Sequence, residues 1–195
     1  MEDEHLALLR KISEREPPIF IMGGFAEEAL LHGKTTRRHD DVDVLVIRKD
    51  LADYDRFFQT LGFRDYQLYL LDPSGQPTVL NCRANGVSLE LCIGDEDGQG
   101  GCYVDVYGEP NDTPYRIHMP DDVFAYPKAT VDGVTVQTVS PLALYQLRAG
   151  LGITKSFGPF RPKDVRSQRE LKERFFASQS EAELKPWVET IAPRG

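Results

Sequence analysis

Two aspartates two residues apart, Asp41 and Asp43, open the run Asp41-Val42-Asp43-Val44-Leu45-Val46-Ile47. The run is polar at its start and apolar at its end, as suits a strand entering a core. Alternate residues of a strand project from one face, so both carboxylates point the same way. Side by side they repel, and a divalent cation between them relieves the repulsion. Mg2+ suits the place because it prefers oxygen and is held by one or two carboxylates plus substrate phosphates. Upstream, the apolar run Ile19-Phe20-Ile21-Met22 breaks at Gly23-Gly24 and passes into the helix formers Phe25 to Leu31. Glycines allow close backbone approach to a ligand, and the free N–H groups of a helix start attract an anion. Together the two segments describe a nucleoside triphosphate held by backbone amides and bridged to a metal ion.

The elements that must position these residues can be followed along the chain. His5 to Arg15 has the spacing of a short amphipathic helix stopped by Pro17-Pro18. Asp50 can cap a helix running to Leu61, with Gly62 as its stop. The middle is strand-like: Tyr66 to Leu71, then Val79 to Ala84 and Val87 to Ile93 around Asn85-Gly86, a two-residue hairpin signal. That turn puts Leu80 and Cys82 on one face with Leu89, Leu91 and Ile93, and Asn81 and Arg83 on the other with Ser88, Glu90 and Cys92. Cys102 to Tyr107 alternates as a further strand, and Asp132-Gly133 marks a smaller hairpin. Ser140-Pro141 opens a helix to about Leu151, and a second helix is expected from Lys163 to Phe176. Ser180 and Glu183 have capping-box spacing, which predicts a last helix holding Leu184, Trp187, Val188 and Ile191, with Trp187 a packing residue. The expected architecture is α/β (α+β): a mixed sheet flanked by helices over residues 1–139, and a small helical lobe over 140–195.

Composition narrows the classes. A chain of 195 residues suits one domain with a small appended lobe, and no apolar run is long enough to span a membrane. The acidic, amphipathic start argues against a secretory or transit segment. Three cysteines, Cys82, Cys92 and Cys102, lack metal-ligand spacing and fit free or buried thiols in a reducing cytoplasm. A net charge of −8 disfavours nucleic acid as a partner. The charge is also polarised: residues 95–122 carry eight acids and one base, whereas 155–174 carry seven bases and three acids. The acidic stretch suggests a cationic acceptor, with Asp95-Glu96-Asp97 either a solvated loop or part of the attraction.

Gly23-Gly24-Phe25-Ala26 followed by Thr36-Arg37-Arg38-His39-Asp40-Asp41-Val42-Asp43 resembles the signature of the nucleotidyltransferase (DNA polymerase β-like) superfamily. Within it, the run is similar to the aminoglycoside 2″-adenylyltransferase and lincosamide nucleotidyltransferase branch. Ser140-Pro141-Leu142 and Arg161-Pro162-Lys163-Asp164 are a weaker echo of that branch. The resemblance implies a nucleotidyltransferase-type sheet and three acidic positions, catalytic and metal-binding. Two are Asp41 and Asp43; Glu90, in an otherwise apolar strand, is the choice for the third as metal ligand or base, with Asp105 the alternative. It implies Mg2+ and an NTP (ATP first) as co-substrate, and a small hydroxylated acceptor such as an aminoglycoside or a lincosamide. Gly23, Gly24, Arg37 or Arg38, and Lys163 become the candidate nucleotide contacts, and His39 either braces the loop or touches substrate. Transfer to RNA or protein, and nucleotide binding without turnover, are the alternatives.

Overall fold

The hydrophobic alternation of the first half builds one sheet around the two strands that carry the signature, in a computed structural model describing residues 3–72, 75–107, 113–154 and 160–191. The elements in chain order are α1 (Glu4–Ser13), β1 (Phe20–Met22), α2 (Gly23–Leu31), β2 (Asp41–Ile47), α3 (Leu51–Thr60), β3 (Gln67–Leu71), β4 (Pro77–Ala84), β5 (Val87–Glu96), β6 (Cys102–Val106), β7 (Tyr115–His118), β8 (Ala129–Val131), β9 (Val134–Val136), α4 (Pro141–Thr154), α5 (Pro162–Phe175) and β10 (Trp187–Thr190). A 3-10 turn, Arg48–Asp50, leads into α3. The main sheet runs β1-β2-β5-β6-β7-β10, with β4 also pairing β5 and β3 outside it; β8 and β9 form a separate hairpin. Among the described strands of this sheet β2 and β5 pair in parallel and the other pairs are antiparallel, so the sheet is mixed.

One face of the β2–β5 centre is wholly apolar. Val42, Val44 and Val46 lie beside Leu89, Leu91 and Ile93, all buried, and α1 and α3 pack against β2. Burying a side chain of this size contributes about 1.5–3 kcal/mol before entropy is counted, so this layer anchors the strands. The other face carries Asp41, Asp43 and Glu90 at one end and Leu45 further along. Helix α4 lies over this face: a Cβ added at Gly150 would come within 2.9 Å of the side chain of Ile117 on β7.

The hairpin expectation holds. Asn85 and Gly86 have φ of 51° and 82°, the left-handed pair a two-residue type I′ turn requires, and the register is Cys82 opposite Leu89 and Leu80 opposite Leu91. The last helix does not form. Ser180 and Glu183 make the reciprocal capping bonds, Ser180 N–H donating to Glu183 Oε2 at 2.7 Å and Glu183 N–H to Ser180 Oγ at 3.3 Å, but only a turn follows. Pro186 removes a helix donor and biases Lys185 away from the helical region, and the β-branched Val188 and Thr190 continue as β10, antiparallel to β7. Trp187 is 61% exposed and stacks on His118 at 3.7 Å, rather than packing in the core.

The charged stretches also look different once folded. Arg48 grips Asp95 through two hydrogen bonds of 2.7 and 3.0 Å, Lys49 pairs with Glu96, and Arg116 holds Asp105 at 2.8 and 2.9 Å. Three of the stretch's six described acids are therefore ion-paired within the protein. Glu109, Asp112 and Lys155 lie outside the described residues. The three cysteines are free thiols, and burial pushes Cys82 up to about 12. No helix among the described residues is long and apolar enough to cross a membrane.

Candidate active site

Asp43 on β2 lies in register with Glu90 on β5, and Asp41 with Ser88. The parallel pairing thus sets all three carboxylates on one face, where they line a cavity of about 330 Å3. Helix α2 supplies Gly23, Gly24 and Glu27 to its wall, the loop before β2 supplies Arg37, His39 and Asp40, and α4 and α5 close the far side with Arg148, Arg161, Lys163 and Asp164. Every predicted site residue except Arg38 lines this cavity; Arg38 is exposed and outside it. Asp105, the alternative third carboxylate, is not in the cavity, and Arg116 holds both its oxygens.

The glycine pair is required by side chains as well as by any ligand. Gly23 has a φ of +59°, and a Cβ there would stand 1.8 Å from Asp43 Oδ2; one at Gly24 would stand 2.6 Å from Arg37 Nη2 and from His39 Nδ1. Asp43 also accepts the backbone N–H of Gly24, so one of the free donors at the start of α2 is taken by the protein's own carboxylate. Burial first, then the charges of Asp41 and Glu90, push the Asp43 carboxyl well above the usual range. Burial, with Asp41, likewise raises Glu90.

His39 braces the loop and also borders the cavity. Its ring stacks on Phe25 at 4.2 Å, and Nε2 lies 3.4 Å from Glu28 Oε1, an oxygen that also accepts from Thr36 Oγ1 at 2.9 Å. Burial, then the charge of Arg37, lowers its pKa against the pull of Glu28. The helical side is locked by a network that sequence reasoning missed. Arg148 on α4 pairs with Glu27 on α2 and with Asp164 on α5 at 2.5 Å, while Arg161 grips Asp164 at 2.8 Å. Burial alone would raise Asp164, but the bonds from Arg161 and the charge of Arg148 hold its carboxyl down at about 2. The one signal for it is a single cation inside the apolar run Leu142 to Leu151, which must find an acid when the helix packs.

Six carboxylates and four cationic side chains line the cavity. A triphosphate therefore enters only with cations to offset the negative excess. Burial and mutual repulsion, which raise Asp43 and Glu90, fit the same demand. Among the described residues no ready-made cage of three or more His, Cys, Asp or Glu side chains exists. Mg2+ needs none, because it keeps waters and takes phosphate oxygens as its remaining ligands.

No protein-family model and no curated protein matches the sequence. Solved structures do match. ANT(2″)-Ia in complex with adenylyl-2″-tobramycin superposes with a TM-score of 0.66 at 19% identity, over 90% of this chain and 91% of that one. The solution structure of ANT(2″)-Ia gives 0.61 at 19% identity, covering 91% and 87% of the two chains. The lincomycin-bound lincosamide antibiotic adenylyltransferase LnuA gives 0.52 at 15% identity over 79% and 85%. What is shared at such identities is the arrangement of the elements, and the chain has the nucleotidyltransferase fold.

Proposed function

We propose that the chain is a Mg2+-dependent nucleotidyltransferase that moves AMP from ATP to a hydroxyl of a small acceptor and releases pyrophosphate. The observation that carries the reading is the register of Asp43 with Glu90, beside Asp41, facing the cations of α5 across one cavity. Asp41 and Asp43 are the residues that would hold the metal ion. The ion, when bound, supplies charge stabilisation to the attacking and leaving oxygens. Glu90 accepts the proton of the acceptor hydroxyl as its oxygen bonds to the α-phosphorus and the bond to the β-phosphate oxygen breaks. Arg37 and Lys163, both lining the cavity, orient the phosphates. Arg161, already bonded to Asp164, contributes a fixed charge. The acceptor class rests on the likeness to structures of ANT(2″)-Ia with adenylyl-2″-tobramycin and of LnuA with lincomycin.

The test is incubation with Mg2+, each of four labelled nucleoside triphosphates and a panel of aminoglycosides and lincosamides, read by mass spectrometry and pyrophosphate release. A mass gain of one nucleotidyl group on the acceptor is the expected result. Nucleotide binding with no release across the panel overturns it in favour of a binding module. Glu90→Gln should slow turnover ~10²-fold or more with little change in KM for ATP. If Asp105→Asn carries that loss instead, the base is wrongly placed.

A further inference from the structure

The carboxylate row does not stop at Glu90. Across four neighbouring strands the register joins Asp43 on β2 to Glu90 on β5, Glu90 to Asn81 on β4, and Asn81 to Gln67 on β3. A second row runs from Asp41 to Ser88 and Arg83. Side chains in register share a face, so these groups extend the catalytic face outward for three strand spacings, roughly 14 Å. Beyond the carboxylates lies a second cavity, of about 460 Å3, lined by Asp65, Gln67, Asn81, Cys82, Arg83 and Ser88. Apart from Cys82, every lining residue can hydrogen-bond strongly through its side chain.

We infer that this shelf on β3–β5 is the acceptor subsite, and that it recognises a polyhydroxylated, ring-bearing molecule by hydrogen bonds to its hydroxyls. The inference rests on the nucleotidyltransferase reading, which places the reacting hydroxyl beside Glu90. Ser88 Oγ donates to Asn81 Oδ1 at 3.2 Å, which orients the amide and leaves its NH2 with no partner among the described residues. Gln67 is exposed on the adjoining strand and presents a second amide, able both to donate and to accept. Asp65 and Arg83, both exposed, offset each other in charge, so the shelf has no field to collect a polycation. Of the acidic stretch, Asp95, Glu96 and Asp105 are engaged by Arg48, Lys49 and Arg116. The shelf's own lining, two amides, a hydroxyl and one charge of each sign, is suited to recognition by hydroxyl pairing.

The experiment is calorimetric binding of lincomycin and of tobramycin to the full chain with Mg2+ and a non-hydrolysable ATP analogue, with pyrophosphate release from ATP measured in parallel. At least one compound should bind. Asn81→Ala and Gln67→Ala together should weaken it by roughly tenfold, as two hydrogen bonds at about 1 kcal/mol or less each imply. Gln67 is exposed, so Gln67→Ala alone, at roughly threefold, keeps the test independent of any folding defect at Asn81. Raising the ionic strength should change binding by less than about threefold, because hydrogen bonds between neutral groups are not screened. Binding indifferent to both variants, steep salt dependence, or no binding of either compound overturns the shelf. Shelf-dependent binding without pyrophosphate release leaves the subsite standing and refutes the transfer reaction alone.

Discussion

Asp43→Asn is expected to lower pyrophosphate release ~10³-fold or more and, at the same time, to stabilise the metal-free protein. The two effects have one cause. Asp43 is held among Asp41, Glu90 and Glu27, and burial with these charges raises its pKa well above the ordinary carboxylate value. Ionising it therefore works against folding. The penalty is absent when pH lies below the unfolded value near 3.8 and complete once pH exceeds the raised folded value. Asparagine is nearly isosteric and carries no charge at any pH. The variant should thus melt above the wild type at neutral and alkaline pH, and the gap should close as pH falls toward 3.8. For a chain of this size each ~1 kcal/mol relieved corresponds to roughly 2–4 °C in Tm. Mg2+ should raise the wild-type Tm and move the variant much less, since ligand binding to the folded state alone stabilises it. Undiminished pyrophosphate release sinks the metal-site assignment. A variant that melts below the wild type at pH 8 sinks the repulsion argument.

The carboxylates are legible in the sequence because their geometry is local. A two-residue spacing on a strand settles which face Asp41 and Asp43 share, and Asn85-Gly86 settles the register that faces Glu90 toward Asn81. Gly23 is legible as a close approach, but not what approaches it, since Asp43 arrives from twenty residues downstream. Charge counting along the chain fails for a related reason. Asp95 and its cation Arg48 are 47 residues apart, so three acids of a run that is strongly acidic on paper are paired once the strands lie side by side. The C-terminus misleads differently. The Ser180–Glu183 box is real, but its local signal does not carry past Pro186 into residues whose partners lie across the sheet on β7. Helix starts are written locally; strand partners are not.

Arg148→Met should be the most damaging change outside the carboxylates, costing about 3–5 kcal/mol of folding stability. Arg148 joins Glu27 to Asp164 over separations of 121 and 16 residues, tying α2, α4 and α5 around the cavity. Methionine fills similar space and removes the cation. Asp164 keeps Arg161, but Glu27, only 3% exposed, is left with Arg37 at 3.8 Å as its nearest remaining partner. An uncompensated buried carboxylate is the expensive outcome; a buried pair removed as a whole is not. Glu27→Gln in the Arg148→Met background should therefore recover much of the loss, a non-additivity that denaturant midpoints can measure. Asp164 adds a pH signature. Its carboxyl, held at about 2, contributes stability present above the unfolded value of 3.8 and lost as pH falls toward 2. Without Arg148 that contribution shrinks, so the variant's acid limb should be shallower over this window. KM for ATP should rise in the single variant and fall back in the double, because α5 carries Lys163 and Arg161 into the cavity. A single variant within about 0.5 kcal/mol of wild type would show that the three helices are held together by their apolar contacts alone.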